Sequence, residues 1–500
     1  MPVFVPACRY VALLARDMLC LMQRFFLVFV FTAVLLGILS RNLAAQTSGP
    51  HDHAASVHAA AEDCTATVPP VIHDSSPPER YARIYIGAGD RRFGQGETAA
   101  LPLDGSTADK FDAILRRYSG NPVGDGGAKP AVAPVSHLIV CLGPGVFQTE
   151  GAQDFVINLH HASERGFAVG PYWHIHGAGV DMTTVQLTSF YVPVNGSAAN
   201  RWLHSGDGVV FQTVSDSSPG IEISDLTIDA NYPTLKPRAS QMGFPSVNLE
   251  AIHLRSDQGG HFIHHIKVIN ASGQTQEAFP VWIVSVNNPV PPAPPKNVGN
   301  IVEYVTMSNF GKGKCTAIAL ANAAGEVRFN RVESYFIAYG GWNLSHGSRF
   351  HDNMSANTVF GFNVDSLSNT GFVIEHNQIV HPMKYGIVVG EAGTFTNFEL
   401  RDNAILLNAS HSLGVLFQGH VSQAVVAGNS ITAEGKPGGV KAFASKGSGN
   451  SGNNFQYNKI SDSFAVDDGI RKSSCAFSNR TPVGSPHKNF PDTQGKPCVQ

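Results

Sequence analysis

The feature that most constrains this chain is a short unit built around asparagine, with Ile or Val two residues after it. It returns at RFNRV, IEHNQI, LRDNAI, VAGNSI and QYNKI, with a poorer copy at FHDNMS. The shared residues are Asn330, Asn353, Asn377, Asn403, Asn429 and Asn458, spaced by 23, 24, 26, 26 and 29 residues. Between consecutive units runs a second strand-like segment that often starts with glycine, at Gly340, Gly361, Gly386, Gly414 and Gly439. A period of this size, with short strands and no helix between them, excludes a doubly wound α/β sheet and predicts a parallel β-solenoid. One asparagine per turn has a physical use there. Stacked side-chain amides hydrogen-bond to their copies one strand spacing away, about 4.8 Å.

Composition agrees with this. Only 15% of the 500 residues are charged, while Gly (50) and Pro (30) are plentiful, so short strands and turns are favoured over long solvated helices. One helix has a rationale of its own, over 107–118, where Thr107 caps TADKFDAILRRY and Phe111, Ile114, Leu115 and Tyr118 share a face. Towards the amino terminus, IVEYVTM, HFIHHIKV and IEISDLTI continue the strand register in steps near 40, with extra loops at 231–248, 270–280 and 287–299.

Phe25 to Leu39 is an uncharged apolar run of 15 residues, too short for a spanning helix and followed by Asn42-Leu43-Ala44-Ala45-Gln46. It predicts a signal peptide over 1–45, translated from Met1 or from Met22, with no stable membrane insertion after cleavage and a body that is secreted, periplasmic or on the cell surface. Residues 46–80 have the Ala, His, Ser and Pro content of a flexible linker, in which His51, His53, His58 and His73 are irregularly spaced imidazoles. The formal charge is −3 overall and −6 once the leader's four arginines and one aspartate are set aside, so nucleic acid is not an expected partner. Five cysteines follow the leader, Cys64, Cys141, Cys315, Cys475 and Cys498, without a CxxC or any other metal-ligand spacing. Cys141 and Cys315 lie in strand-like segments and are expected to be small core residues, while Cys475 and Cys498 are placed to staple a tail over 475–500.

LDGSTADKFDAILRR (103–117), VCLGPGVFQTEG (140–151) and IHGAGVDMTTVQL (175–187) resemble the opening stretches of the pectate-lyase-like family. The resemblance covers about residues 81–474. It implies an all-β, single-stranded right-handed parallel β-helix with a short amino-terminal capping helix, but it does not assign a chemistry, because the paired-Asp, Gly-His-Gly and Arg-Ile-Lys motifs of the hydrolases in that family are absent.

A site must therefore be sought on the outward face. Alternation of side chains along AIHLRSD places Ile252 and Leu254 inside and His253, Arg255 and Asp257 outside. The same rule exposes Trp282, Ala319, Trp342, Asn363, Asp365, Lys441 and Arg471 on their strands and predicts an outward row of His253, Trp282, Ala319, Trp342 and Asn363. Indole faces stack on pyranose rings, so a polysaccharide is the expected partner, with Trp282, Trp342, Asn363 and Glu391 contacting it. Two chemistries are open. Elimination would use His253 as base, Arg255 as cation and Asp257 as a Ca²⁺ ligand, and hydrolysis would use Asp365 with Glu391. The alternative is a non-catalytic carbohydrate-binding, adhesive or structural β-helix. HFIHH (His261, His264, His265) lacks an acidic partner at a fixed spacing, so no metal site is expected there.

Overall fold

The computed structural model describes residues 64, 81–88, 103–116, 118, 137–151, 166–190, 205–213, 217–244, 246–273, 278–285, 295–309, 313–366, 368–390, 393–435, 437–447 and 449–488. The leader, nearly all of the linker, Glu391 and Cys498 lie outside them. The described residues all belong to one compact unit, Asp63–Gln500. Every pairing between named strands is parallel, and the chain winds as a right-handed parallel β-helix.

One face is a ten-stranded sheet that runs from Ser205–Gln212 through Ser246–Arg255, Val281–Val284, Thr316–Ala321, Ile337–Trp342 and Phe360–Asp365 to Ala465–Val466. A second, larger sheet carries Trp173–His176, Glu222–Asp229, Phe262–Ile269, Asn300–Ser308 and the short strand pairs of each later coil. Ser368–Thr370, Thr394–Thr396 and His420–Ser422 form a third side.

The asparagines stack as the repeat requires. Asn330 Nδ2 donates to Asn353 Oδ1 at 2.9 Å, Asn353 to Asn377 at 3.0 Å, Asn377 to Asn403 at 3.0 Å, Asn403 to Asn429 at 2.9 Å and Asn429 to Asn458 at 3.0 Å. Each Nδ2 also donates to a backbone carbonyl, as Asn403 does to Ile374, so a buried amide is satisfied without water. The ladder adds a member at Asn479, which accepts from Asn458 at 2.9 Å, and Ser474–Phe477 pairs with Asn453–Gln456. The helix thus extends into the segment expected as a tail from 475, where Asn479, like Asn353, lacks the Ile or Val of the other units. The residue before each ladder asparagine is left-handed, at Phe329, Asp352, His376, Asp402, Gly428, Tyr457 and Ser478. That conformation turns the chain sharply between two short strands.

The other halves of the repeat unit touch each other. The glycines that align are Gly361, Gly386 and Gly414, and a Cβ at these positions would lie 2.7, 2.8 and 2.8 Å from Cγ2 of Ile379, Ile405 and Ile431. Those isoleucines are the ones that follow Asn377, Asn403 and Asn429. Gly340 and Gly439 are out of this column. Ala338 and Ala442 occupy it instead, one residue beyond the pairs Ile337↔Phe360 and Leu413↔Lys441. Inside, one apolar residue per coil stacks on the next, as in Ile374, Leu400, Val426 and Phe455, each fully buried. Each such side chain contributes about 1.5–3 kcal/mol.

Helix α1, Ala108–Arg116, closes the amino-terminal end with Phe111, Ile114 and Leu115 buried, Phe111 packing on Phe147 and Phe167 at 5.3 and 5.7 Å. Two further helices were not expected. α2, Tyr232–Gln241, occupies the predicted loop 231–248 and buries Tyr232, Leu235 and Ala239, an i, i+3, i+7 stripe hidden in the sequence by Pro233 and Pro237. α3, Asp468–Ser473, contains Arg471, which therefore does not stand on a strand face. Cys141 is core, 1% exposed, but it is not a free thiol. It forms a disulfide with Cys64, which fastens one point of the linker to the body. Cys475 is also disulfide-bonded, and Cys315 is a free, buried thiol that burial pushes up to about 11.

Candidate functional site

The strand Ser246–Arg255 carries the first expected site residues. Ile252 and Leu254 are fully buried in the core and His253 points away from them, as alternation predicts. His253 pairs in register with Trp282, Trp282 with Ala319, Ala319 with Gly340, and Gly340 with Asn363. The expected row is therefore correct except at one rung, where Gly340 replaces Trp342. Trp342 stands in the neighbouring row, opposite Ala321 and Asp365. The shift arises because Ala338, not Gly340, holds the repeat-glycine position. The role of Gly340 is steric, since a Cβ there would sit 2.5 Å from Cη2 of Trp342. The indole thus folds back over Gly340 into the row from which its backbone is displaced.

These rings form a connected layer. The His253 and Trp282 centroids are 4.4 Å apart, Phe279 lies 4.5 Å from Trp282, and Phe279 lies 5.2 Å from Trp342 in an edge contact. Phe279, which the sequence did not single out, braces both tryptophans and is itself buried. Trp282 and Trp342 remain half-buried. Beneath them His253, 2% exposed, places Nδ1 3.5 Å from Oε2 of buried Glu250, whose Oε1 accepts from the Phe279 backbone N–H at 2.9 Å. His253 is outward-facing but covered, which an alternation rule cannot see because the cover comes from the next coil.

The elimination set around Arg255 and the hydrolysis set around Asp365 lie apart on this sheet. Arg255 and Asp365 share a row, but Val284, Ala321 and Trp342 lie between them, which makes four rungs or about 19 Å. Asp257 accepts a 2.5 Å hydrogen bond from the Ser285 hydroxyl, and Asp365 Oδ1 accepts from the Ser366 backbone N–H at 2.7 Å. Asn363 is half-buried between Gly340 and Val388. Glu391 falls outside the described residues, so the proposed pair of carboxylates has one located member.

A second cluster lies on the outer face of the larger sheet. His174 and His176 are two residues apart on one strand and therefore share a face, Glu222 pairs with His174, and Ser224 pairs with both His176 and His264. His264 Nε2 is 2.9 Å from Glu222 Oε1, and His264 Nδ1 is 2.9 Å from His265 Nδ1. Ser224 Oγ lies 2.8 Å from His176 Nδ1 and donates to Asp225. Burial works to raise the Glu222 carboxyl, but the hydrogen bond from His264 and the neighbouring His176 and His174 outweigh it and hold the group below its ordinary value. The acidic partner that HFIHH lacked in sequence is thus supplied 42 residues away by the preceding coil. The sequence signal for this cluster is the alternating His-Ile-His of 174–176. His261 is apart from this group, buried, and pushed down to about 4 by that burial.

No protein-family model and no curated protein matches the chain. Among solved structures it is similar to the A-module of a mannuronan C-5 epimerase of Azotobacter vinelandii, at 10% identity over 79% of this chain and 94% of that one, with a TM-score of 0.40. It is also similar to DFA-IIIase of Arthrobacter chlorophenolicus A6 in complex with DFA-III, at 11% identity, 80% and 96% coverage, TM-score 0.39. A third similar structure is PfbA, a surface adhesin of Streptococcus pneumoniae, at 12% identity, 79% and 90% coverage, TM-score 0.44. None of these likenesses assigns a role to a residue of this chain.

Proposed function

We propose that this is an exported β-helix protein that binds a polysaccharide along the outer face of its ten-stranded sheet. The observation that carries the reading is the pair of half-buried tryptophans, Trp282 and Trp342, braced by Phe279 on a face whose floor is the buried His253–Glu250 pair. Rings held in this way lose little conformational entropy on binding, and an indole face matches the C–H face of a pyranose. Half-buried Arg255 and Asn363 border the aromatic layer as polar partners for hydroxyl or carboxylate groups. The disulfide at Cys64–Cys141 and the bonded Cys475 support export, because such bonds persist in oxidising compartments. Recognition is favoured over turnover because His253, the expected base, is buried beneath Trp282.

The test is a panel of plant and bacterial polysaccharides scored for binding and for products. Trp282→Ala is expected to weaken oligosaccharide binding by about 1–3 kcal/mol, while Lys441→Ala, far along the sheet, leaves it unchanged. Equal losses from both substitutions would move the site elsewhere. Release of reducing ends without ultraviolet-absorbing products would replace recognition by hydrolysis, and the appearance of both would replace it by elimination.

A further inference from the structure

The geometry points to a site for a borderline divalent transition metal, of the Zn²⁺ or Co²⁺ kind, formed by His174, His176 and Glu222 on the outer face of the larger sheet. One ligand atom from each of the three residues lies within 4.8 Å of the other two. Oε2 of Glu222 is 3.7 Å from Nδ1 of His174, and Oε1 is 3.9 Å from Nδ1 of His176. A tetrahedral ion with bonds of 2.0–2.1 Å needs its ligand atoms about 3.3 Å apart, so the shell closes by side-chain rotations of roughly 1 Å without moving the strands.

The backbone makes the arrangement rigid. Strand alternation puts both imidazoles on one face, and parallel pairing puts Glu222 directly beside His174. The outer partners are also in place. His264 holds one oxygen of Glu222 and leans on His265, while the contact between Nδ1 of His176 and Ser224 is exchanged for the ion on binding. A metal-binding carboxylate is oriented by a contact of the His264 kind. Access is graded, with side-chain exposure of 23% for His174, 14% for Glu222 and 1% for His176, so an ion entering from solvent would keep one open position beside His174. Two imidazoles with a single carboxylate select a borderline metal over Ca²⁺ or Mg²⁺, which require mostly oxygen ligands. The site is on a different sheet from the aromatic layer around Trp282 and does not depend on what that layer binds.

The test uses the full chain, stripped of metal, with Co²⁺ as a spectroscopic probe and Zn²⁺ as competitor. Visible bands of a low-coordinate Co²⁺ site, abolished by one equivalent of Zn²⁺, are expected. His174→Ala and Glu222→Gln should lower the affinity by 100-fold or more, and His264→Ala, which removes the partner of the Glu222 carboxylate, by about tenfold, with the metal-free circular dichroism unchanged. Replacing His51, His53, His58 and His73 together by Ala should leave the bands intact. Bands that survive in Glu222→Gln or vanish in the fourfold variant would overturn the assignment. A measurement on the unsubstituted chain guards against misfolded variants, since saturating Zn²⁺ should slow diethylpyrocarbonate modification of His174. An unchanged rate would show that Glu222 serves only as the acceptor of His264, and the site would be rejected.

Discussion

From Asn330 to Asn479 each turn of the helix takes 21 to 29 residues, and its ladder hydrogen bonds are alike from rung to rung. In the coils before it a turn takes about 40, as between Ile221 and His261. The surplus there becomes helix α2 and the segment that delivers Phe279. Both regions satisfy the same core, with Ile223, Ile263 and Val302 stacking as regularly as Ile379, Ile405 and Ile431. The difference is in what lies outside that core. Uniform coils leave no residues over with which to cover or enclose a surface, whereas the larger turns do. The aromatic layer around Trp282 and the cluster around Glu222 both lie at this irregular end.

The largest expected effect breaks the regular end. In Gly386→Val the added carbon atoms would meet Gly414 O at 2.5 Å and Ile405 at 2.8 Å, and neither can withdraw without shifting a strand. A loss of about 3 kcal/mol or more in chemical denaturation is expected. A loss below about 1 kcal/mol would mean that the corners are not close-packed.

The next sharpens the contrast in charge. Asp112 in α1 is buried, and burial raises its carboxyl to about 6 against the opposing hydrogen bonds from Thr149 and the Glu150 backbone N–H. Because the folded value lies above the unfolded one, the group is neutral-compatible at low pH and costs stability once it ionises. Its contribution should fall as pH rises from about 4 to about 6, by about 2–3 kcal/mol, and stay level above. Asp112→Asn should flatten that window in a melting-temperature profile, whatever its baseline stability. A profile that keeps the same slope would show that Asp112 is not its source.

Asn403→Ala removes one member of an uncharged ladder, leaving Asn377 and Asn429 each short of a partner, and is expected to cost about 1–3 kcal/mol equally at pH 5 and pH 8. A pH-dependent loss, or none, would contradict a purely amide stack. The smallest effect belongs to the half-buried pair Arg401–Glu399, 2.7 Å apart on the outer face, where Arg401→Ala should change stability by less than about 1 kcal/mol.

The amino-acid sequence by itself determined the solenoid, its period and the inside–outside alternation around His253, because each follows from a local rule repeated many times. The Asn-x-Ile unit encodes a ladder rung and the packing of Ile405 against Gly386 within one turn's length of chain. Tertiary structure alone decided everything that depends on a neighbour in the adjacent coil. Phe279 turns the tryptophans into one layer, Trp342 lies over Gly340, Cys141 bonds to Cys64, and Glu222 meets His174, His176 and His264. In a solenoid with turns of unequal length, residues that touch are separated by a number of positions that the loops set coil by coil. The 42 residues between Glu222 and His264 follow no repeat, and only the folded register brings them to 2.9 Å.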